Sequence, residues 1–358
     1  MGHDDDAPAR GELPGLDVAA LSTWLDVERP GLRTGPLRAE LVAGGRSNLT
    51  YALDDDAHRW VLRRPPLGHV LATAHDMIRE HTVISALAGS AVPVPATVLL
   101  HADPDLLGAP FYLMERVEGQ VLRTREDLLG VPADDREPLS RALVGTLAAL
   151  HDVDVEAAGL ADFGRPDGFM ARQVSRWSRQ LDASRSRELP GIERLRDRLA
   201  GSVPPATSTT VVHGDFRLDN LLVRPDDHGV AAVLDWEMAT LGDPLADVGL
   251  LAVYWGTGSA HAGLGPVAAL PATVPGYPDA ATLAGWYAEL TGRDLARIPW
   301  YVGFGYFKLA VILEGIHYRW TQGMTVGSGF DQVGDVVPGL VAAGLEALAA
   351  DQGVPDPL

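Results

Sequence analysis

The sequence predicts an α+β protein with a small β-rich first lobe and a larger, mainly helical second lobe. Three observations carry this. Short apolar runs separated by turn residues, with one helical pattern among them, fill residues 37–117. From residue 118 onward, long stretches with apolar residues at helical spacing dominate. At 358 residues the chain is too long for one small core and long enough for two.

Residues 14–27 read as a helix, with Leu16, Val18, Leu21, Leu25 and Val27 on or near one face, so 1–36 is expected as an N-terminal extension carrying that helix. Strand candidates follow at 37–43, 49–53 and 59–64, with Gly44-Gly45-Arg46-Ser47-Asn48 between the first two. Residues 72–88 form the helical pattern, through Ile78, Val83, Ile84 and Leu87, and 98–101 and 110–116 are two more strands. The resulting β-β-β-α-β-β order makes a lobe of ordinary domain size. In the second lobe (118–358), residues 137–151, 168–200, 244–255, 279–292, 299–322 and 337–350 read as helices, and apolar strand pieces near 210–223 and 230–235 interrupt them. Asp243-Pro244 is a helix-start signal, an Asp cap with Pro at the first helical position. The Gly/Pro/Ala-rich stretch 256–278 is expected as a long loop, with a lid as one use, and 351–358 as a frayed end.

Composition narrows the function classes. Hydrophobic residues at 46% and charged residues at 22% suit a soluble globular protein. The chain has no cysteine, which rules out disulfides and thiolate metal sites and points to a reducing, cytoplasmic setting. The acidic start lacks the apolar core of a signal peptide, and no uninterrupted apolar run approaches the roughly 18 residues of a membrane span. A net charge of −19 argues against a nucleic-acid partner, and either aids solubility or draws a cationic one. Monomer and homodimer both fit. Against this background residues 172–198 hold eight arginines and four acids, and Lys308 is the only lysine among 29 basic residues.

The chemistry sits where two apolar runs end in polar clusters: Val211-Val212-His213-Gly214-Asp215-Phe216-Arg217-Leu218-Asp219-Asn220 and Val233-Leu234-Asp235-Trp236-Glu237. Phosphoryl transfer of the kinase type needs one carboxylate that aligns a hydroxyl and accepts its proton. It also needs an amide oxygen and a second carboxylate to hold Mg²⁺ on the triphosphate. Asp215 suits the first role. Asn220 and Asp235 supply the hard oxygen donors that Mg²⁺ favours, and the Val-rich strand before Asp235 would hold it rigidly. The plain alternative is a pair of polar turns between buried strands, which the joint spacing disfavours. A two-metal phosphohydrolase would need more carboxylate or histidine ligands than this cluster offers.

H-G-D-x4-N followed by an apolar strand and D-W-E resembles the aminoglycoside phosphotransferase and choline kinase family, and the likeness runs from about residue 37 to 325. It is similar in particular to the branch fused to acyl-CoA dehydrogenases and its free-standing bacterial relatives. The phrases are Gly45-Arg46-Ser47-Asn48-Leu49-Thr50-Tyr51, Val61-Leu62-Arg63-Arg64-Pro65-Pro66, Arg79-Glu80, Pro110-Phe111-Tyr112-Leu113-Met114-Glu115, and Leu241-Gly242-Asp243-Pro244 with Asp247 and Gly249. The resemblance implies a protein-kinase-like bilobal fold, ATP and Mg²⁺ as cofactors, Asp215 as catalytic base, and Asn220 and Asp235 as Mg²⁺ ligands. In the first lobe it implies a phosphate loop at Gly44–Asn48. There Gly45 would permit close backbone approach and Ser47 would donate to phosphate, with a plain hairpin as the alternative. Arg63 stands where protein kinases carry lysine, keeping the charge with a different reach and hydration. Glu80 is its candidate partner, against a solvated charge on a helix face. Glu115 and Val117 fall at the hinge, where backbone groups would meet adenine.

Several supporting roles are expected. His213 should pack and hydrogen-bond beneath the catalytic loop, His151 should cap a helix C-terminus, and Asp243 and Asp247 should order a loop at a helix start. Asp219 stays open between a substrate-facing and a supporting carboxylate. For the acceptor, an aminoglycoside site should be strongly acidic, and 172–198 is the reverse. That segment is expected to meet an anionic, hydroxyacyl-CoA-like substrate, with a solvated basic helix face as the competing reading. An aminoglycoside or amino-alcohol phosphotransferase and a nucleotide-binding pseudokinase are the other classes. Lys308 and Arg319, with Glu314 and Tyr318 nearby, either line the same pocket or belong to an amphipathic core helix.

Overall fold

A computed structural model describes residues 13–42, 48–67, 76–206, 208–256, 269–324 and 332–351. They fall into two compact units, one running to Ala88 and including Val94–Glu118, the other made of Gly89–Pro93 and the chain from Gly119 onward.

The first unit holds α1 (Val18–Glu28), β1 (Arg38–Leu41), β2 (Leu49–Asp54), β3 (Arg59–Arg64), α2 (Met77–Leu87), β4 (Thr97–His101) and β5 (Phe111–Glu115). The strands form one antiparallel sheet in the order β1-β2-β3-β5-β4. Central β3 shows why the sheet carries chemistry. The pleat sends alternate side chains to opposite faces, so Trp60 and Leu62 enter the apolar core while Arg63 takes the other face. Tyr51, Leu53, Leu99, Phe111 and Leu113 complete that core together with Leu21 and Leu25 of α1. The N-terminal helix is thus integral to this unit. Asp17 starts it by accepting Ala20 N–H at 2.9 Å, and Asp76 starts α2 in the same way through Arg79 N–H at 3.0 Å.

The second unit contains α3 (Arg125–Gly130), α4 (Ala133–His151), α5 (Phe169–Ser184), α6 (Ile192–Gly201), β6 (Thr210–Val212), β7 (Leu221–Val223), β8 (Val230–Val233), β9 (Thr240–Gly242), α7 (Leu245–Trp255), α8 (Ala280–Thr291), α9 (Ile298–Thr321) and α10 (Val333–Ala350). The short strands pair antiparallel as β6-β9 and β7-β8. α9 is buried along most of its length and packs on α5, α7 and α10. α7 and α9 approach to backbone contact, since a Cβ at Gly249 would lie 2.6 Å from the Tyr301 carbonyl carbon. α10 is long and apolar enough to cross a bilayer, yet its Val337, Leu340, Val341 and Leu348 are buried within the unit.

Several boundaries differ from the sequence pattern. The helix expected over 168–200 is two helices: α5 ends at Ser184 with Arg185 extended, and Pro190 with a left-handed Gly191 (φ 86°) directly precedes α6. α3 and β9 were too short for periodicity to mark. α7 starts one residue later than expected, with Pro244 in the cap position, although the Asp243 carboxylate still accepts Leu245 N–H at 3.0 Å. Parts of the expected 72–88 helix and 256–278 loop, residues 72–75 and 257–268, lie outside the described residues, as does 352–358.

α10 begins at Val333, earlier than expected, and runs through Pro338. Proline has no N–H, so the Gly334 carbonyl lacks its helical partner. Arg187 fills that vacancy, donating to Gly334 O and, at 3.0 Å, to Glu314, whose side chain is fully buried in α9. This sets the character of the Arg-rich segment. Arg185 pairs with Glu193, Arg196 lies 3.5 Å from Asp182, Arg172 and Arg198 donate to backbone carbonyls, and Arg179 reaches Ser175. Most of the charge that suggested a docking face therefore has internal partners. Arg187→Ala is expected to destabilise the second unit by about 3 kcal/mol, because it leaves the buried Glu314 carboxylate only long hydrogen bonds from Ser186 at 3.3 and 3.4 Å. Exposed Arg194→Ala should change stability by under about 0.5 kcal/mol. Urea unfolding of both variants checks this, and equal small effects would refute the staple.

Candidate active site

The turn after β6 is built around a glycine. Gly214 has φ 82°, and a Cβ there would meet the Met238 carbonyl oxygen at 2.7 Å, so this position of the H-G-D motif excludes side chains. Three hydrogen bonds from two side chains hold the turn. Asp247 of α7 accepts His213 N–H at 2.7 Å and Gly214 N–H at 2.8 Å, and Lys308 of α9 donates to Gly214 O at 2.6 Å. His213 lies beneath the turn as expected. Its Nδ1 accepts Asp215 N–H at 3.2 Å, which assigns the proton to Nε2, and Nε2 donates to Leu234 O at 2.9 Å. Its ring packs 4.7 Å from that of Trp236.

Asp215, Asn220 and Asp235 share one hydrogen-bonded frame. Asn220 Nδ2 donates to the Asp215 backbone carbonyl at 2.8 Å and to Asp215 Oδ2 at 3.1 Å. With the amide nitrogen so placed, the amide oxygen is the end free to meet a cation. The Asn220 carbonyl in turn accepts Leu234 N–H at 2.8 Å, tying in the residue before Asp235. Asp235 itself is left-handed (φ 65°, ψ 61°), a conformation that costs a non-glycine residue about 1–2 kcal/mol and that Asp tolerates better than most.

Asp219 pairs with Arg217, whose guanidinium lies 4.4 Å over the Tyr254 ring. Burial alone would lower the Arg217 pKa, but Tyr254, Asp219 and Asp215 together hold it above its ordinary value. Tyr254 was not anticipated, and neither was the grip of Lys308 on the turn. Lys308 is buried on that turn.

His151 does not cap a helix. Its ring turns into the core, where Nδ1 meets Tyr287 Oη at 2.8 Å and Nε2 meets Asp247 at 3.3 Å, while Arg293 reaches the His151 carbonyl at 2.8 Å and supplies the cation at that helix end. Burial lowers the His151 pKa. Burial alone would raise that of Asp247, but hydrogen bonds from His151 and the His213 amide, and the nearby His213 ring, hold it below the usual carboxylate range.

In the first unit, Arg63 Nε lies 3.1 Å from Glu80 Oε2. Glu80 is only 1% exposed and also accepts Asn48 Nδ2 and Tyr112 Oη, each at 2.9 Å. Tyr112 is the cross-strand neighbour of Arg63, so sheet register itself brings both donors to the helix acid. Glu80 is therefore the expected partner and not a solvated charge. Glu115 ends β5 exposed and Val117 is half-buried just beyond it. Gly45 and Ser47 lie outside the described residues.

The buried His151–Asp247 pair sets a pH dependence. Both folded pKa values lie below their unfolded values, about 6.5 for His and 3.9 for Asp, so the unfolded chain binds more protons and stability rises with pH. The His151 contribution is complete above about pH 6.5 and declines below it, and that of Asp247 declines below about pH 4. Urea unfolding between pH 5 and 7.5 should show stability falling toward pH 5, with a shallower fall in His151→Asn. Identical slopes would remove His151 from this account.

The model of the phosphotransferase enzyme family matches residues 38–285, from β1 into α8. Acyl-CoA dehydrogenase family member 10 of Mus musculus is 35% identical over 302 residues, covering 84% of this chain and 28% of that protein. Family member 11 of Gallus gallus is 34% identical, over 92% of this chain and 43% of that protein. The chain thus spans less than half the length of these curated relatives. Among solved structures, a candidate aminoglycoside phosphotransferase from Ralstonia eutropha matches with a TM-score of 0.81 at 33% identity, over 93% of this chain and 98% of that one. APH(4)-Ia in complex with ADP and hygromycin B shares the fold, at TM-score 0.58 and 17% identity over 87% of this chain and 94% of that one. The expected α+β kinase-like fold is the fold of these structures, and the chain belongs to the phosphotransferase enzyme family.

Proposed function

We propose that the chain is a small-molecule kinase that transfers the γ-phosphoryl group of ATP to a hydroxyl on an anionic acceptor of the hydroxyacyl-CoA kind. The observation that carries this reading is the Asn220–Asp215 hydrogen bond, which sets a carboxylate beside an amide whose oxygen is a hard donor, in the segment between β6 and β7. Asp215 would receive the acceptor hydroxyl, align it and take its proton. The Asn220 amide oxygen and the Asp235 carboxylate are a hard-donor pair suited to Mg²⁺, which when bound would neutralise charge on the phosphates. In the first unit Arg63, oriented by Glu80, would meet the nucleotide phosphates. Gly45 and Ser47 would cover them, and Glu115 and Val117 would border adenine.

The acceptor class rests on charge. Lys308 and Arg217 both lie within electrostatic reach of Asp215, and Arg176 within reach of Lys308. These cations offer complementary charge to a phosphate- or carboxylate-bearing alcohol. Relatives named as acyl-CoA dehydrogenase family members support a coenzyme A thioester. The Ralstonia eutropha structure, described as a candidate aminoglycoside phosphotransferase, supports the competing acceptor.

ADP release measured across hydroxyacyl-CoAs, sugars, amino alcohols and aminoglycosides decides between them. Turnover of aminoglycosides alone would overturn the anionic acceptor. Asp215→Asn is expected to lower kcat at least about 100-fold with little change in KM for ATP. Turnover equal to wild type would remove Asp215 as the base.

A further inference from the structure

The interior of the second unit holds a cation whose hydrogen bond to the backbone the proposed reaction leaves without a task. Every other basic residue of the 29 is arginine, yet Lys308 is lysine and only 6% exposed. Its ammonium donates to Gly214 O at 2.6 Å and lies 5.4 Å from the centre of the Trp177 ring. Among the described residues it has no carboxylate at ion-pair distance. Burying an ammonium in this way costs several kcal/mol, and a methionine would fill the same space without that cost.

The contact falls on a particular peptide group. Asp247 fixes the two peptides before it, through His213 N–H and Gly214 N–H. The next peptide joins Gly214 to Asp215. Its N–H goes to His213 Nδ1 at 3.2 Å, and its carbonyl goes to Lys308. Glycine rotates more freely than any other residue, so without the ammonium this peptide would be held at one end only. The Asp215 side chain departs from the same peptide, and its placement follows the peptide plane.

We propose that Lys308 is a positioning residue for phosphoryl transfer: by clamping the Gly214 carbonyl it fixes the plane of the Gly214–Asp215 peptide and with it the carboxylate that receives the acceptor hydroxyl. This rests on reading the chain as a kinase with Asp215 as base. An ammonium suits the task because it is compact and strongly hydrogen-bonding, where an arginine fork is larger and planar. The groups facing it from the packed elements are Asp215 from the turn and Asp247 from α7, which favour its charged form, and Arg176 from α5, which with burial opposes it. Burial dominates and holds Lys308 below the ordinary lysine range. The clamp therefore weakens as pH rises through the Lys308 pKa.

The test compares wild type, Asp215→Asn, Lys308→Met and Lys308→Arg with the acceptor that turns over best, following kcat, KM for ATP and melting temperature. A misplaced reacting group of about 1 Å costs on the order of 100-fold in rate. Lys308→Met should therefore lose about that much kcat with KM for ATP within about threefold and no loss of melting temperature. Lys308→Arg should recover to within about tenfold of wild type. Wild-type kcat should also fall at alkaline pH below the usual lysine range, and this fall should vanish in Lys308→Arg, because arginine does not deprotonate. Lys308→Met with kcat within twofold of wild type, beside an inactive Asp215→Asn, overturns the inference and leaves the kinase reading standing. Wild-type and Asp215→Asn turnover that match sink the kinase reading itself. Should Lys308→Met not fold, an alkaline limb that persists unchanged in Lys308→Arg overturns the clamp.

Discussion

One buried carboxylate organises the chemistry of the second unit. Asp247 is fully enclosed, and its oxygens accept the N–H groups of His213 and Gly214 and meet the His151 ring. It lies in the first turn of α7, where free backbone N–H groups and the helix dipole favour negative charge. In a low-dielectric interior such a carboxylate is tolerable only while its hydrogen bonds persist. The turn that presents Asp215 is therefore coupled to the seating of α7, and α7 is seated by the backbone approach of Gly249 to Tyr301. A long chain of packing decisions ends at one motif of three residues.

The common frame of Asp215, Asn220 and Asp235 was readable from spacing, because they lie within 21 residues and adjoin strands that declare themselves by their apolar runs. Arg63 and Glu80 were readable for a similar reason, since strand and helix periods place each one. What could not be read were contacts between distant segments. Nothing local marks Lys308 as a partner of Gly214, 94 residues away, or Arg187 as a partner of Glu314 across 127. Composition says nothing of partners: the Arg-rich segment shows eight cations in sequence, while in the fold most of them meet carboxylates, carbonyls or a hydroxyl inside the unit. His151 misled because its position at a helix end says nothing about where its ring points.

The two units differ in how they hold their functional groups. In the first, a sheet register and one helix suffice, with Arg63, Tyr112 and Asn48 converging on Glu80. In the second, the frame is made of irregular backbone: a left-handed Gly214, a left-handed Asp235, and short strands of three or four residues. Such backbone has few repeating hydrogen bonds of its own, so buried side chains from α7 and α9 supply them. The family match ends at residue 285, before α9 begins, so one of these supports lies outside the matched region.

The solitary lysine also has a practical side. Arginine does not react with amine-directed acylating reagents under mild conditions, so such reagents find one lysine side chain in these 358 residues, and it is enclosed between Trp177 and the Gly214 carbonyl. Acylation there needs the turn to come away from α9. The rate of lysine labelling is thus a clock for opening of the turn that bears Asp215, readable by mass spectrometry on the unmodified sequence.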